Sequence, residues 1–346
     1  MSNPGLVLAP PGVPPAAGWD SNPTWRGAAL ALVGTALILG LLVHRVEGRH
    51  LAVALASVEP GPLGLGIGIG LLNRFLFQGL RLARILAFTG HVVPLRAALI
   101  AGWAALPLQL GTPGKLGAVV PALWFERHRA VPALEALGAM LLPRLHSAIL
   151  HLTAAALGVA FLPGGLLGVP RGPIGGALGL ALALGWVACG SLLWGRRRVE
   201  QGLGWLPRRL ADWSARLLAA VVRVPASGHA RLFGGSAAIT AVEYLAIWWL
   251  FRAAGVHPTF FHFLAGVGVS ILAGTLPVSL AGLGIREATL MVLFAGIAPE
   301  PALLSAGLLW SAGLHVLPAL LGLFFVPAVL RGLIPGRRGG GAVRSP

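Results

Sequence analysis

The sequence predicts an all-α, polytopic membrane protein: about six full spans plus two broken, re-entrant helical hairpins related as an inverted repeat. Three observations lead there. Of the 346 residues, 56% are hydrophobic and only 10% are charged, and the mean hydropathy is +0.83. A soluble domain carries about 25% charged residues. Several apolar runs reach the roughly 20 residues that cross a bilayer. Two apolar regions, at 106–117 and 276–287, are interrupted by prolines, glycines and charges. Broken backbone at bilayer depth is tolerated only where protein or a water-filled cavity covers it.

Taken in order, residues 1–24 are rich in proline and small or polar residues and are expected to form a disordered tail. They lack a basic stretch ahead of a short apolar core, so they do not read as a signal peptide. Residues 25–330 form the predicted transmembrane domain. Its first helix covers Gly27 to Val43. After the polar patch 44–50, a second span runs from about Pro62 to Leu80 and on toward Phe88, with Asn73 and Arg74 at mid-depth. Residues 92–110 are apolar apart from Arg96 and lead into the first break, where Pro107 and Gly114 interrupt the helix. A long apolar run, Pro132 to Leu162, contains Glu135, Arg144, His146 and His151. A clean span from Ile174 to Trp194 precedes the basic loop 195–231, in which Leu206 to Val224 reads as an amphipathic surface helix. Leu232 to Ala253 carries Glu243. The second break lies within 258–297, and Pro301 to Leu330 is the last span. Residues 331–346 read as a disordered basic tail.

The formal net charge is +16, and one of the 26 basic residues is lysine, Lys115. The arginines fall in short loops and the C-terminal tail, without a basic-aromatic surface module, so nucleic-acid binding is not expected. Cytoplasmic loops collect Lys and Arg, which places the 195–231 loop and both termini inside, in a plasma (inner) membrane. The first hairpin then enters from the cytoplasm. The second enters from outside, flanked by Ala298-Pro299-Glu300-Pro301. The two halves, about 92–162 and 258–330, also share sequence. Residues 132–146 align without gaps to 301–315 with six identities in fifteen, among them Pro132/Pro301, Gly138/Gly307 and His146/His315.

The second break holds the candidate site. Leu276 to Glu287 contains Pro277, Ser279, Gly282, Gly284 and the adjacent pair Arg286-Glu287. A charge at the bilayer centre costs roughly 2.5–3.5 kcal/mol on insertion scales, so such residues mark function by default. Two readings compete: Arg286 and Glu287 pair to hold the hairpin shut, or Arg286, Arg144 and Lys115 line a cavity for an anionic headgroup. Arginine suits phosphate because its planar fork donates two hydrogen bonds at once, and helix N-termini add positive potential. Glu243 and Glu135 could balance the arginines or relay protons. Arg74 could belong to the cavity or snorkel. His146 and His151, five apart, do not share the face a helical metal pair needs; no metal and no cofactor are expected. Cys189 is the sole cysteine, which excludes an internal disulfide. With no nucleophile–base set, P-loop or zinc signature, the chain does not read as an enzyme.

The spacing P-x-S-x-x-G-x-G-x-R-E, met by Pro277, Ser279, Gly282, Gly284, Arg286 and Glu287, resembles the lysylphosphatidylglycerol synthase transmembrane-region family of flippase-like membrane proteins. Pro318 and Gly322 fit its final span, and Arg144 fits the arginine of its first repeat. The resemblance covers roughly residues 25–330. Four positions depart from it: Lys115 follows Gly114 where an acid is usual, Gly117-Ala118 stand where an arginine is expected shortly after, His146 stands in place of an aspartate, and the last span lacks an arginine near Ser311. The resemblance implies translocation of a membrane phospholipid or glycolipid. Alternatives are a non-catalytic membrane partner of a lipid- or glycan-modifying enzyme, and a small-solute secondary transporter. In some relatives the region is fused to a soluble aminoacyl-transferase domain; no such domain is recognised here, so synthase chemistry is not expected of this chain alone.

Overall fold

The structure, a computed structural model, describes residues 23–111, 119–162, 176, 179–183, 185–186, 224–276 and 279–331. Lys115, Gly114, Pro277, Cys189, the predicted surface helix up to residue 223 and the tail beyond residue 331 lie outside them, as does most of the predicted span 174–194. Every regular element among the described residues is a helix. They are α1 (Pro23–Val46), α2 (Gly48–Ala56), α3 (Pro60–Leu72), α4 (Gln78–Phe88), α5 (Leu95–Gly111), α6 (Val119–Arg129) and α7 (Ala133–Phe161). There follow α8 (Ala226–Ala253), α9 (Phe260–Ala273), α10 (Ile285–Leu293), α11 (Glu300–Ser311), α12 (Leu317–Gly322) and α13 (Val326–Arg331).

Four helical stretches are long and apolar enough to cross a membrane: Pro60–Phe88, Ala133–Phe161, Ser227–Ala253 and Glu300–Arg331. Two of them contain a π-helical turn. Asn73–Phe77 joins α3 to α4, and Ala312–Val316 joins α11 to α12. A π-turn widens the helix and leaves backbone carbonyls poorly paired, and such turns are frequent at functional sites. Here the indole Nε1 of Trp103 on α5 donates to the Phe75 carbonyl at 2.6 Å, and Asn73 Nδ2 donates to the Ile239 carbonyl of α8 at 3.3 Å.

Helix α9 ends at Ala273 and α10 starts at Ile285, so the chain is interrupted in the region of the second predicted break. At 1.5 Å per residue, the 14-residue α9 and the 9-residue α10 extend about 21 Å and 14 Å, short of the roughly 30 Å hydrocarbon core.

α9 packs chiefly on the long helix α7. α5 packs on α4, α12 and α13. Small residues permit both approaches, as is usual where membrane helices meet without a hydrophobic driving force. A Cβ on Gly158 of α7 would lie 2.3 Å from the Ala265 nitrogen and 2.6 Å from the Phe261 oxygen of α9. A Cβ on Gly322 of α12 would lie 2.5 Å from the Trp103 oxygen and 2.8 Å from Pro107 Cδ. Pro107 lies inside α5. Lacking an N–H, it leaves the Trp103 carbonyl without its helical donor, and the bare Cα of Gly322 fits against that carbonyl. Pro107 therefore bends no hairpin by itself; α5 continues through it to Gly111.

Candidate functional site

The site is built from the second break. α9 ends at Ala273, and Gly274, Thr275 and Leu276 turn with their N–H groups bonded to Ser270, Leu272 and Ala273. The chain returns through extended Ser279 and a 3-10 turn at Leu280–Gly282. Gly282, at φ +83, passes so close over Gly274 that a Cβ would be 2.5 Å from its carbonyl oxygen. Ala281 and Gly284 also have positive φ, 52° and 86°. α1 closes over this strained segment: Thr35 Oγ1 accepts from the Leu280 N–H at 2.7 Å, and Ile38 lies against Gly284.

α10 then begins with Arg286 and Glu287 in its first turn, both buried. The carboxylate of Glu287 accepts from the Gly284 N–H at 2.6 Å. This satisfies an orphan donor at the helix N-terminus, where negative charge is also favoured. Arg286 and Glu287 make no direct ion pair; Ser311 of α11 stands between them. Arg286 Nη1 donates to Ser311 Oγ at 3.0 Å, and the Ser311 hydroxyl donates to Glu287. Arg286 Nη2 donates to the Ala281 carbonyl at 3.3 Å. Its guanidinium carbon lies 4.9 Å from the centroid of the Trp310 ring, a cation–π contact that strengthens out of water. The expected pair that shuts the hairpin is thus a three-residue bridge, because neighbouring side chains on a helix diverge and need a third group to meet.

Arg286 also faces a cavity of about 450 Å³. Four arginines line it, Arg74, Arg81, Arg144 and Arg286, with Glu243 as the only carboxylate among the described lining residues. Of the predicted site residues, Arg286, Arg144, Ser279 and Glu243 converge here, and Gly282 forms part of the wall. Glu287 lies behind the wall, fully buried. Arg74 belongs to the cavity and does not snorkel: its Nη2 donates to Glu243 at 2.9 Å. Glu135 is elsewhere, 3.0 Å from His91 Nε2.

Sequence reasoning missed several members. Arg81, inside the stretch Pro60–Phe88, donates to Gln78 and, at 3.5 Å, to Ser147 Oγ, and lines the cavity. Trp310 and His315, on either side of the start of the second π-turn, line it too. Of the histidine pair aligned between the halves, His146 instead packs away from the cavity, 3.4 Å from Ser236 Oγ. Among the described residues no group of His, Cys, Asp or Glu could hold a metal ion.

Long apolar helices, a broken hairpin and a charged cavity between spans define a multi-pass integral membrane protein. The sequence profile of the family described as lysylphosphatidylglycerol synthase TM region matches residues 28–322. The chain belongs to that family. Comparison with curated proteins finds no match.

Proposed function

We propose that this chain is a lipid translocase, not an enzyme, whose arginine-lined cavity receives an anionic or glycosylated lipid headgroup and passes it between leaflets of the inner membrane. One observation carries the proposal: among the described residues, Arg74, Arg81, Arg144 and Arg286 line a cavity of about 450 Å³ at a helix break, together with Glu243. Arg74 is held by Glu243 and Arg286 by Glu287 through Ser311, so the guanidiniums stand ordered around a space that suits an anionic group. Arginine's planar fork matches phosphate geometry bidentately. In this reading the halves 92–162 and 258–330 are inverted repeats that rock about the cavity; the packing of α9 on α7 and of α5 on α12–α13 supports it. The family's name, which refers to a synthase, supports a second reading, a membrane partner for a lipid-modifying enzyme.

The test is translocation of fluorescent phosphatidylglycerol in proteoliposomes. Losing one charge-assisted contact removes about 1.5–3 kcal/mol, so Arg144→Ala, and Arg286→Lys, which keeps the positive charge beside Ser311 and Glu287 but loses the fork, should each slow flipping by about tenfold or more, while both variants insert and elute as the native protein does. Native rates in both variants would overturn the cavity's role. A stably co-purifying enzyme, with no flipping by the isolated chain, would favour the second reading.

A further inference from the structure

Two carboxylates stand beside the arginines of this site, and they differ in their access to it. Glu287 is fully enclosed and anchors the start of α10. Glu243, on α8, lines the cavity together with its partner Arg74, and their side chains are 15% and 22% exposed. Arg74 sits in the π-turn Asn73–Phe77, a geometry frequent at functional sites.

The contact between the two uses only part of the arginine. Nη2 of Arg74 donates to Oε1 of Glu243 at 2.9 Å, and this is the single hydrogen bond of that guanidinium among the described residues. An exposed pair in the same molecule shows the fork fully engaged: Arg45 donates through Nε and Nη2 to both carboxylate oxygens of Glu300. A bidentate pair adds energy and geometric specificity over a single contact. A phosphate that engages the whole fork of Arg74 therefore competes well against a carboxylate held by one arm. The carboxylate it releases stays compensated, because Arg81 and Arg286 also act on Glu243 through their charge.

We infer that Glu243 is a resident anion: it holds Arg74 before the headgroup arrives, and the phosphate of the headgroup displaces it. The inference deepens the translocase reading and rests on it for the source of the phosphate. Displacement sets specificity, since a lipid with no anionic acceptor to take Arg74 leaves the pair closed. It also speeds release. A site that passes a ligand onward must bind it weakly enough to let go, and a carboxylate competing for the same guanidinium does this.

The experiment measures the affinity of the detergent-purified full chain for dioctanoyl phosphatidylglycerol and for glycerol 3-phosphate, read from thermal stabilisation against ligand concentration, alongside flipping of fluorescent phosphatidylglycerol in proteoliposomes. Glu243→Gln keeps an acceptor oxygen for Arg74 and removes the charge. It should bind both probes about tenfold more tightly, the equivalent of one charged competitor removed, and flip the lipid more slowly because release is slowed. In an Arg74→Gln background the same substitution should change affinity by about twofold at most. Native or weaker affinity in Glu243→Gln overturns the displacement. So does equal tightening in both backgrounds, which marks a general effect of charge. If the glutamine variant does not fold, Glu243→Asp keeps the charge and shortens the reach to Arg74; tighter binding then supports the displacement, and native affinity overturns it. Tightened binding of glycerol 3-phosphate alone supports the displacement and overturns the lipid source. Tightened lipid binding in a chain that flips nothing supports the displacement and overturns translocation. Failure of both probes to stabilise the native chain overturns the anion site, and the displacement with it.

Discussion

Gly282→Ala is expected to destabilise this protein strongly, by two separate effects. The left-handed backbone at φ +83 costs an alanine about 1–2 kcal/mol. The added methyl would also sit 2.5 Å from the Gly274 carbonyl oxygen, a backbone atom that cannot rotate away, and overpacking of this kind costs about 1–3 kcal/mol more. Gly296 is the internal control. Its φ is +82, yet nothing lies within 4 Å of where its Cβ would be. Gly296→Ala should therefore show only the conformational part. Thermal unfolding in detergent checks this, with Gly282→Ala melting well below Gly296→Ala. Equal melting of the two would mean that the two ends of the hairpin do not touch as described.

The second large effect concerns Glu287. Its carboxylate accepts from the Gly284 N–H and from the Ser311 hydroxyl, and through Ser311 it balances the buried Arg286. Glu287→Ala removes all three functions and leaves Arg286 as an uncompensated buried charge, a change that typically costs about 3–5 kcal/mol. Ser311→Ala removes the bridge but keeps both charges, and should cost about 1–3 kcal/mol. Unfolding measurements on the two variants should therefore rank Glu287→Ala as the less stable. The opposite order would show that Ser311, and not the carboxylate, anchors the start of α10.

These two predictions rest on parts of the molecule that differ in how legible they were. The break itself stood out in the sequence, since a proline, two glycines and an Arg-Glu pair in an apolar run admit few explanations. The long spans were equally plain, because hydropathy over 27–32 residues averages away local ambiguity. Pro107 was misleading: the proline suggested a bend, but Gly322 packs over the carbonyl it frees and the helix continues. Ser311 carried no signal, since a serine in an apolar helix is ordinary in membrane proteins. Trp310 looked like any membrane tryptophan; its role comes from a guanidinium 24 residues earlier in sequence, brought over its ring by the fold. The two π-turns, which place Arg74 and His315 toward the cavity, have no composition of their own. The second hairpin's backbone was therefore readable from sequence, while the cavity wall needed the tertiary arrangement of α4, α7, α8 and α11.

The central claim is that the cavity admits a headgroup by its negative charge. The direct test is the relative flipping rate of fluorescent phosphatidylglycerol and phosphatidylcholine by the native protein in the same proteoliposomes. The guanidiniums of Arg74, Arg81, Arg144 and Arg286 on the cavity wall predict that the anionic lipid moves about tenfold faster or more, the factor set by one charge-assisted contact. That preference should shrink as salt is raised, to the extent that the cavity is open to solvent. Equal rates for the two lipids, at low salt and in a protein that flips both, would contradict the account.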